Sequence, residues 1–200
     1  GMLVGLWRYV VLVFAQIVAF VWKRFHSQPN PTETVFVPHV NRFDSTRSVL
    51  DALDDDHEVV LPTSTATWLR ERGDRYAAIR EYDPTPLDYF ATPSTMLDSL
   101  RRGVQLGIEV VVRRSFDRRL EEFLETEFDV AMPNTLWYLL GNLFATHVPS
   151  LANTVLAERM LSKLEPQNLV IGSLGSRQQA ILYPAIRSGI HTYHIPHSAT

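Results

Sequence analysis

The chain has no cysteine among its 200 residues. Disulfide bonds, thiolate metal sites and a cysteine nucleophile are therefore excluded. Lysine is also scarce. Of the 19 lysine and arginine residues, only Lys23 and Lys163 are lysines. The formal net charge is −3, so the protein has no overall positive field that would attract nucleic acid, and we expect no nucleic-acid partner.

Glycine-rich phosphate-binding motifs are absent as well. The nine glycines form neither the Rossmann pattern G-x-G-x-x-G nor the Walker pattern. The chain also contains no internal repeat and no low-complexity tract. Hydrophobic residues make up 46% of it and charged residues 20%, as in an ordinary globular protein. A chain of this length is long enough for one well-buried domain.

A long hydrophobic run stands near the start of the chain. Residues 3–22 are interrupted only by Arg8 and Gln16, and a helix of this length extends roughly 30 Å, about the thickness of a bilayer core. Two basic residues follow directly, which places the body of the protein on the cytoplasmic face of the cell membrane. We therefore expect residues 2–26 to form a membrane-associated hydrophobic helix. A helix packed on protein is the alternative.

The rest of the chain alternates between short apolar runs and helical patterns. The apolar runs predict strands at residues 34–39, 58–62, 76–82, 168–172 and 190–195. The helical spacing predicts helices at about residues 46–53, 65–70, 86–128, 136–164 and 176–187. Residues 108–112 are rich in β-branched side chains and fit either a helix or a strand.

These elements predict an α/β fold. The strand–helix–strand unit at residues 168–195 has a twelve-residue crossover, which requires parallel pairing of its two strands. We expect a doubly wound, mostly parallel, Rossmann-like sheet over residues 33–200, with a helical segment inserted at about 86–164. Ligands of such sheets bind beyond the carboxyl ends of the strands, so any site should lie in the loops there.

Polar loops follow the first strand and the strand at 168–172. The glycines permit close backbone approach, Ser176 can cap the following helix, and Arg177 can contact an anion at that helix N-terminus. A tight turn followed by a capped helix is the alternative interpretation. The residues that we expect to bind substrate are His39, Asn41, Arg42, Gly172, Ser173, Gly175, Ser176 and Arg177.

The last loop of the chain carries His197 beside small hydroxyl residues. A histidine that leaves a final strand can act as a general base or donate to a phosphate, although many such histidines are only polar loop residues. His39, His194 and His197 do not have the spacing of a known metal site and have no acidic neighbour in sequence. We therefore expect no metal ion and no other cofactor.

The closing strand–helix–strand unit resembles a known family. Residues 168–172, Ser176-Arg177, an alanine-bearing helix and residues 189–197 are similar to the end of the N-terminal domain in GT-B-fold transferases of surface-polysaccharide synthesis. The most similar patterns are those of capsule glycosyltransferases and CDP-glycerol glycerophosphotransferases. There, G-I-P-T leads to a strand that ends in Q-H-G or W-H-G at the domain junction. Here Gly-Ile-His-Thr and His197-Ser198-Ala199 stand at these places.

The resemblance implies a function. It implies the acceptor-side half of a membrane-associated glycosyltransferase, or polyol-phosphate transferase, in surface polysaccharide or glycan synthesis. His197 matches the histidine that lies in the catalytic cleft of those families. The nucleotide-sugar or CDP-polyol donor would bind mainly to a C-terminal domain beyond this chain, so we expect the chain alone to be catalytically incomplete. The acceptor would be a lipid-linked or other glycan.

Two alternatives belong to different classes of protein. A non-hydrolysing nucleotide-sugar 2-epimerase shares the two-domain architecture, and a carboxylate-rich cleft would favour it, whereas the predicted loops carry only Asp44. A membrane-tethered binding module has no chemistry of its own. Polar loops that lie far apart would favour the module.

Overall fold

A computed structural model describes residues 2–26, 28–40, 43–53, 56–71, 73–112, 119, 122–127 and 148–195. Five strands in these ranges form one all-parallel sheet in the order β3-β2-β1-β4-β5. The strands are β1 (Thr34–Val37), β2 (His57–Leu61), β3 (Thr85–Pro86), β4 (Asn168–Ile171) and β5 (His191–His194). The chain adds β2 and β3 on one side of β1 and then crosses over to add β4 and β5 on the other. This reversal confirms the doubly wound, Rossmann-like α/β fold.

Helices connect the strands and precede the first one. The α-helices are α1 (Met2–Trp22), α2 (Phe43–Leu50), α3 (Thr65–Arg70), α4 (Asp74–Arg80), α5 (Pro93–Val112), α6 (Val148–Leu164) and α7 (Ser176–Arg187). Two 3-10 turns, Lys23–Phe25 and Leu87–Phe90, follow α1 and β3, and residues 122–127 are also helical.

Helices cover both faces of the central strands β1 and β4. Successive residues of a strand point to opposite faces, so each strand contributes to two clusters. In β1, Val35 and Val37 pack with α6 and α7, whereas Phe36 packs in a separate cluster with α2, α3 and α4. β4 repeats this division, since Leu169 belongs to the first cluster and Val170 to the second. Strands buried on both faces explain the continuous apolar runs that predicted them.

The closing unit agrees closely with the sequence prediction. α7 has the predicted bounds, and Gly189, two residues beyond its end, has a φ of 75°, which favours glycine. β4 and β5 pair in parallel, with Ile171 opposite His194. The bounds of the four predicted strands that form differ from the predicted ones by at most two residues at either end.

The predicted strand at residues 76–82 is wrong, because this segment forms α4 and a turn. Ile79 is fully buried and Tyr76 half-buried, so the inward positions follow helical spacing. The guanidinium of Arg80 lies 4.1 Å from the ring centroid of Trp68, and it donates to the carbonyls of Trp68 and Glu71 at 3.0 and 2.8 Å. These contacts hold α4 against the end of α3. They join residues distant in sequence, so no local sequence pattern predicts them.

The third strand lies a few residues further on and is only two residues long. Thr85 and Pro86 pair with Val60 and Leu61 of β2 at the edge of the sheet. Proline is tolerated at an edge because its missing N–H is not needed for a further strand. A two-residue strand is too short to show the periodicity on which sequence prediction depends.

The helical segment predicted at about residues 86–164 starts later than predicted, because residue 86 belongs to β3 and residues 87–90 form a 3-10 turn. From residue 93 onward it is helical where the structure describes it. α5 runs through Gly103 without ending, and residues 108–112, which were compatible with either structure, continue it as a helix. α6 supplies the second half, whereas residues 136–147 of the predicted helix lie outside the described ranges. α5 packs on α6. Arg102 forms a bidentate ion pair with Glu158, with Nη1–Oε1 and Nη2–Oε2 distances of 3.1 and 2.7 Å.

α1 lies on the domain rather than apart from it. It packs against α3, α6 and the 3-10 turn after β3. The small side chains of Ala15 and Ala19 and the amide of Gln16 are buried in this contact. The alternative of a helix packed on protein therefore holds for one face of α1. No helix in the described part of the chain combines the length and the hydrophobicity needed to cross a bilayer.

A candidate site at the carboxyl edge of the sheet

The order of the strands reverses between β1 and β4, and the loops that leave these two strands lie side by side. The last paired residues are Val37 and Ile171, and the N–H of Gly172 donates to the carbonyl of Val37 at 2.9 Å. His39 follows one strand and Ser173 the other. Two of the loops predicted to bind substrate are thus adjacent at the position where such sheets bind ligands.

Gly172 is required by this close approach. A Cβ added to it would lie 2.9 Å from the backbone nitrogen of His39 and 3.3 Å from Cγ2 of Thr46. Backbone cannot move away as a flexible side chain can. The glycine therefore allows the loop after β1 to cross directly over the end of β4.

The start of α7 differs from the prediction in one respect. We expected Ser176 to cap this helix, but the N-cap residue is Gly175, which makes no side-chain capping bond. Gly175 approaches the amide oxygen of Gln178, since a Cβ on it would lie 2.8 Å from Oε1. Serine was the more probable cap by residue preference, but the chain enters the helix one residue earlier.

The hydroxyl of Ser173 is buried beside this helix start. Its Oγ has no hydrogen-bond partner within the described ranges, although Ser173 is only 7% exposed. A buried hydroxyl without a partner costs free energy, so this atom is available to a ligand or a water molecule.

Arg177 extends the site toward a second pair of loops. It is exposed in the first turn of α7 and lines a cavity of about 200 Å³ that we name the carboxyl-edge cavity. The guanidinium also acts on Tyr76: burial raises the pKa of this phenol, the charge of Glu71 raises it further, and Arg177 opposes both. The walls of the cavity come from α1, the loop after β2, α3, the turn after β3, α6 and α7. Its polar lining residues are Gln16, Thr63, Ser64, Thr67, Asp88, Asn153 and Arg177.

Asp88 is the buried carboxylate of the carboxyl-edge cavity. Its Oδ1 accepts hydrogen bonds from the backbone N–H of Thr65 at 2.8 Å and from the Thr65 hydroxyl at 2.6 Å, and Oδ2 accepts from the same N–H at 3.0 Å. Burial raises the pKa of Asp88 to about 6, although the bonds from Thr65 oppose the shift. A carboxylate of this pKa exchanges protons near neutral pH, as general acids and bases do.

Two further polar groups lie at this cavity without partners. Gln16, in the middle of the apolar helix α1, is 3% exposed, and its Oε1 accepts no hydrogen bond from the described residues. The Oγ1 of Thr63 is likewise buried and without a partner in that part of the chain. The hydroxyl of Ser64 already has a partner, because Ser64 is the N-cap of α3 and its Oγ accepts a hydrogen bond from the N–H of Thr67 at 3.2 Å. The cavity thus offers a cation, a buried carboxylate and free polar groups.

Sequence reasoning missed several of these residues. Gln16 stands out in the sequence as the one polar residue in the middle of an apolar run, but this pattern alone does not indicate a site. Asp88 and Asn153 carry no local signal of a site, because Asp88 follows a strand too short to predict and Asn153 lies within an ordinary helical pattern. The predicted site residues Asn41, Arg42 and His197 lie outside the described residues, as does the side chain of Ser176.

Metal ligation has no candidate in the described ranges, where no group of three or more histidine and carboxylate side chains is close enough to hold an ion. Comparison with known proteins adds no identity: no family model matches the chain, and neither a curated protein nor a solved structure is significantly similar to it.

Proposed function

We propose that the chain is the acceptor-side half of a membrane-associated glycosyltransferase or polyol-phosphate transferase. One observation carries the proposal: the loops after β1 and β4 meet at the switch point, and Arg177 joins them to the polar carboxyl-edge cavity. The convergence of His39 with Ser173 counts against the alternative of a binding module whose polar loops lie apart. The similarity of the closing unit to GT-B transferases supplies the reaction class.

The size of the cavity favours an acceptor over a nucleotide. Pockets for drug-sized ligands measure roughly 300–1,000 Å³, whereas this one is about 200 Å³. It suits a single sugar or a polyol phosphate, whose hydroxyls would pair with Gln16, Thr63 and Asn153. In this proposal the nucleotide-sugar or CDP-polyol donor binds mainly to a further domain.

A transfer reaction needs a general base, and the chain offers two candidates. The acceptor hydroxyl must lose its proton as it attacks the anomeric carbon or the phosphorus of the donor. His197 is the base that the family resemblance suggests. Asp88 is a second candidate, since its pKa of about 6 lets the carboxylate take up a proton near neutral pH. A single buried carboxylate in the lining gives the epimerase alternative less support than a carboxylate-rich cleft would.

α1 links this site to a lipid surface in the proposal. One face of the helix lines the carboxyl-edge cavity through Val11, Ala15 and Gln16. The opposite face exposes large apolar side chains at helical spacing, and Arg24 at its end lies over the ring of Phe20. The exposed members are Trp7, Val10, Phe14, Ile17, Phe20 and Val21. An apolar face with interfacial aromatics and adjacent basic residues is typical of helices that lie in a membrane interface.

This arrangement gives a lipid-linked acceptor a route to the site. A helix that lies in the interface on one face and lines the cavity on the other would bring the head of such an acceptor next to Gln16. The proposed location is accordingly the cytoplasmic face of the cell membrane.

The experiment is a thermal-unfolding panel on the full chain. The ligands are a short-prenyl pyrophosphate-linked sugar, glycerol phosphate, several nucleotide sugars and CDP-glycerol. We expect the acceptor-type ligands to raise Tm more than the nucleotides do, because a ligand that binds only the folded state stabilises it. Arg177→Gln should abolish the rise, whereas Arg187→Gln, an exposed arginine at the other end of α7, should keep it. No rise with any ligand in a folded sample would favour the binding module.

A further inference from the structure

A second cavity lies at another place in the domain, next to the end of α6. It measures about 400 Å³ and is bounded by the 3-10 turn after α1 and by the last two turns of α6. Leu164 at the end of α6 accepts a hydrogen bond from the N–H of Thr32, just ahead of β1. None of the residues that line the carboxyl-edge cavity lines this one. We name it the lysine cavity.

Both lysines of the chain line the lysine cavity. Lys23 and Lys163 are 140 positions apart in sequence, and every other basic side chain that carries a permanent charge is an arginine. Arg159, one turn before Lys163 on α6, is the third cation of the lining. An ammonium group is a compact charge with three rotatable donors, which suits the oxygens of a phosphate.

The described residues supply no acidic partner for the three cations. Within the part of the chain that the structure describes, no carboxylate forms an ion pair with Lys23, Arg159 or Lys163. Lys163 donates to the amide oxygen of Gln28 at 2.9 Å. The ring centroid of Tyr89 lies 5.3 Å from the Nζ of Lys23 and 5.9 Å from that of Lys163. A ring face and a neutral amide are weak compensation for three positive charges.

The pKa values reflect this crowding. Burial lowers the pKa of Lys23, and the charges of Lys163 and Arg159 lower it further. Burial also lowers the pKa of Lys163, with Arg159 as the second cause. Burial and the neighbouring positive charges thus disfavour the charged form of both lysines, and an anion bound between them would favour it.

We propose that the lysine cavity binds a phosphate group. Lys23, Lys163 and Arg159 bind its oxygens, and the hydroxyls of Ser162 and Thr92, which also line the cavity, are the neutral donors. The phosphate belongs to a lipid headgroup or to a water-soluble phosphate ester. The proposal does not rest on the transferase function, because the residues involved are different.

The scarcity of lysine makes a direct test possible on the unmodified sequence. Protein labelled with carbon-13 at lysine Cε gives one NMR signal for each of two side chains. We expect both signals to shift with inorganic phosphate along one saturable curve, and not with chloride at equal ionic strength. Shifts that do not saturate, or that chloride reproduces, would overturn the proposal, as would the absence of any shift.

Variants provide a second, independent measurement. Without phosphate, Lys163→Gln should unfold at the same temperature as the wild type or higher, since it relieves repulsion, and phosphate should no longer raise its Tm. Arg187→Gln, outside the cavity, should respond as the wild type does. An equal response to phosphate in Lys163→Gln, Arg159→Gln and the wild type would contradict the assignment of the site.

Two further arms distinguish the sources of the phosphate. Co-sedimentation with vesicles of phosphatidylcholine and phosphatidylglycerol tests the lipid headgroup. Binding that is weaker in Lys163→Gln than in Arg187→Gln supports it, because the exposed face of α1 is the same in both variants. Vesicle binding that is equal in these two variants, together with an NMR titration in which glycerol phosphate saturates at lower concentration than inorganic phosphate, supports the soluble ester. A shift of the Lys23 signal with glycerol phosphate that is unchanged in Lys163→Gln contradicts the proposal.

Discussion

Gly172 stands where a single added carbon would meet the backbone of the neighbouring loop. Gly172→Ala puts a methyl group 2.9 Å from the nitrogen of His39. We expect it to lower the free energy of unfolding by about 1–3 kcal/mol, the usual cost of overpacking. Chemical denaturation measures the loss. The matched change Gly73→Ala places its Cβ in open space, and a poorer N-cap and a less flexible unfolded chain each change stability there by at most about 1 kcal/mol. Equal losses in the two variants would refute the steric argument.

Asp88 makes stability depend on pH in a direction opposite to that of most carboxylates. Its pKa is about 6 in the folded protein and 3.8 as the reference value, so between these pH values the folded state holds a proton that the unfolded chain has released. Stability therefore falls as pH rises through this window, by up to about 3 kcal/mol, and it is highest below it as far as this group is concerned.

The prediction for Asp88 is tested with Asp88→Asn, which cannot ionise. Unfolding free energies of wild type and variant are measured from about pH 4 to about pH 7. The difference should move in favour of the variant as pH rises, because only the wild type has to bury a charge. A difference that stays constant across this range would mean that burial does not shift the pKa of Asp88.

The element that connects fold and proposed function is α1, whose two faces have different roles. Ala15 and Ala19 are small and buried against the domain, whereas Phe14 and Ile17 are exposed. We predict that replacing both Phe14 and Ile17 by serine leaves Tm within a few degrees of the wild type. The same variant should lose binding to vesicles of phosphatidylcholine and phosphatidylglycerol, because the buried apolar area at the lipid interface is reduced.

Ala19→Leu is the complementary change on the buried face of α1. It should lower Tm by overpacking the contact with the domain. Vesicle binding measured where this variant is still folded should persist. If the serine variant keeps full vesicle binding, the exposed face of α1 does not contact lipid.

Elements differed in how much of their structure could be predicted from sequence. α7 and β4 were predictable because their signals are local: an apolar run, a helical pattern and Gly189 at the stop. α4 was misassigned because residues 76–82 have apolar residues at several spacings, and tertiary contacts of Arg80 select the helix. Local patterns indicate an element only when packing does not overrule them.

At the scale of the whole molecule, the alternation of strands and helices along the chain was sufficient to predict the doubly wound sheet and the edge where a site should lie. This pattern placed His39 and Gly172 at that edge, since each is the last residue of a predicted strand. The carboxyl-edge cavity was not predictable, because Gln16, Asp88 and Asn153 come from three distant helical segments. The lysine cavity joins residues 140 positions apart, a convergence that only the fold brings about.

Binding of the acceptor in the carboxyl-edge cavity is measured most directly by backbone NMR. Nitrogen-15 labelled chain is titrated with a short-prenyl pyrophosphate-linked sugar. We predict saturable shifts of the amides of Thr63, Ser64, Ser173 and Arg177, and the loss of these shifts in Arg177→Gln. Saturable shifts confined to other parts of the domain, or no shifts at all, would contradict it.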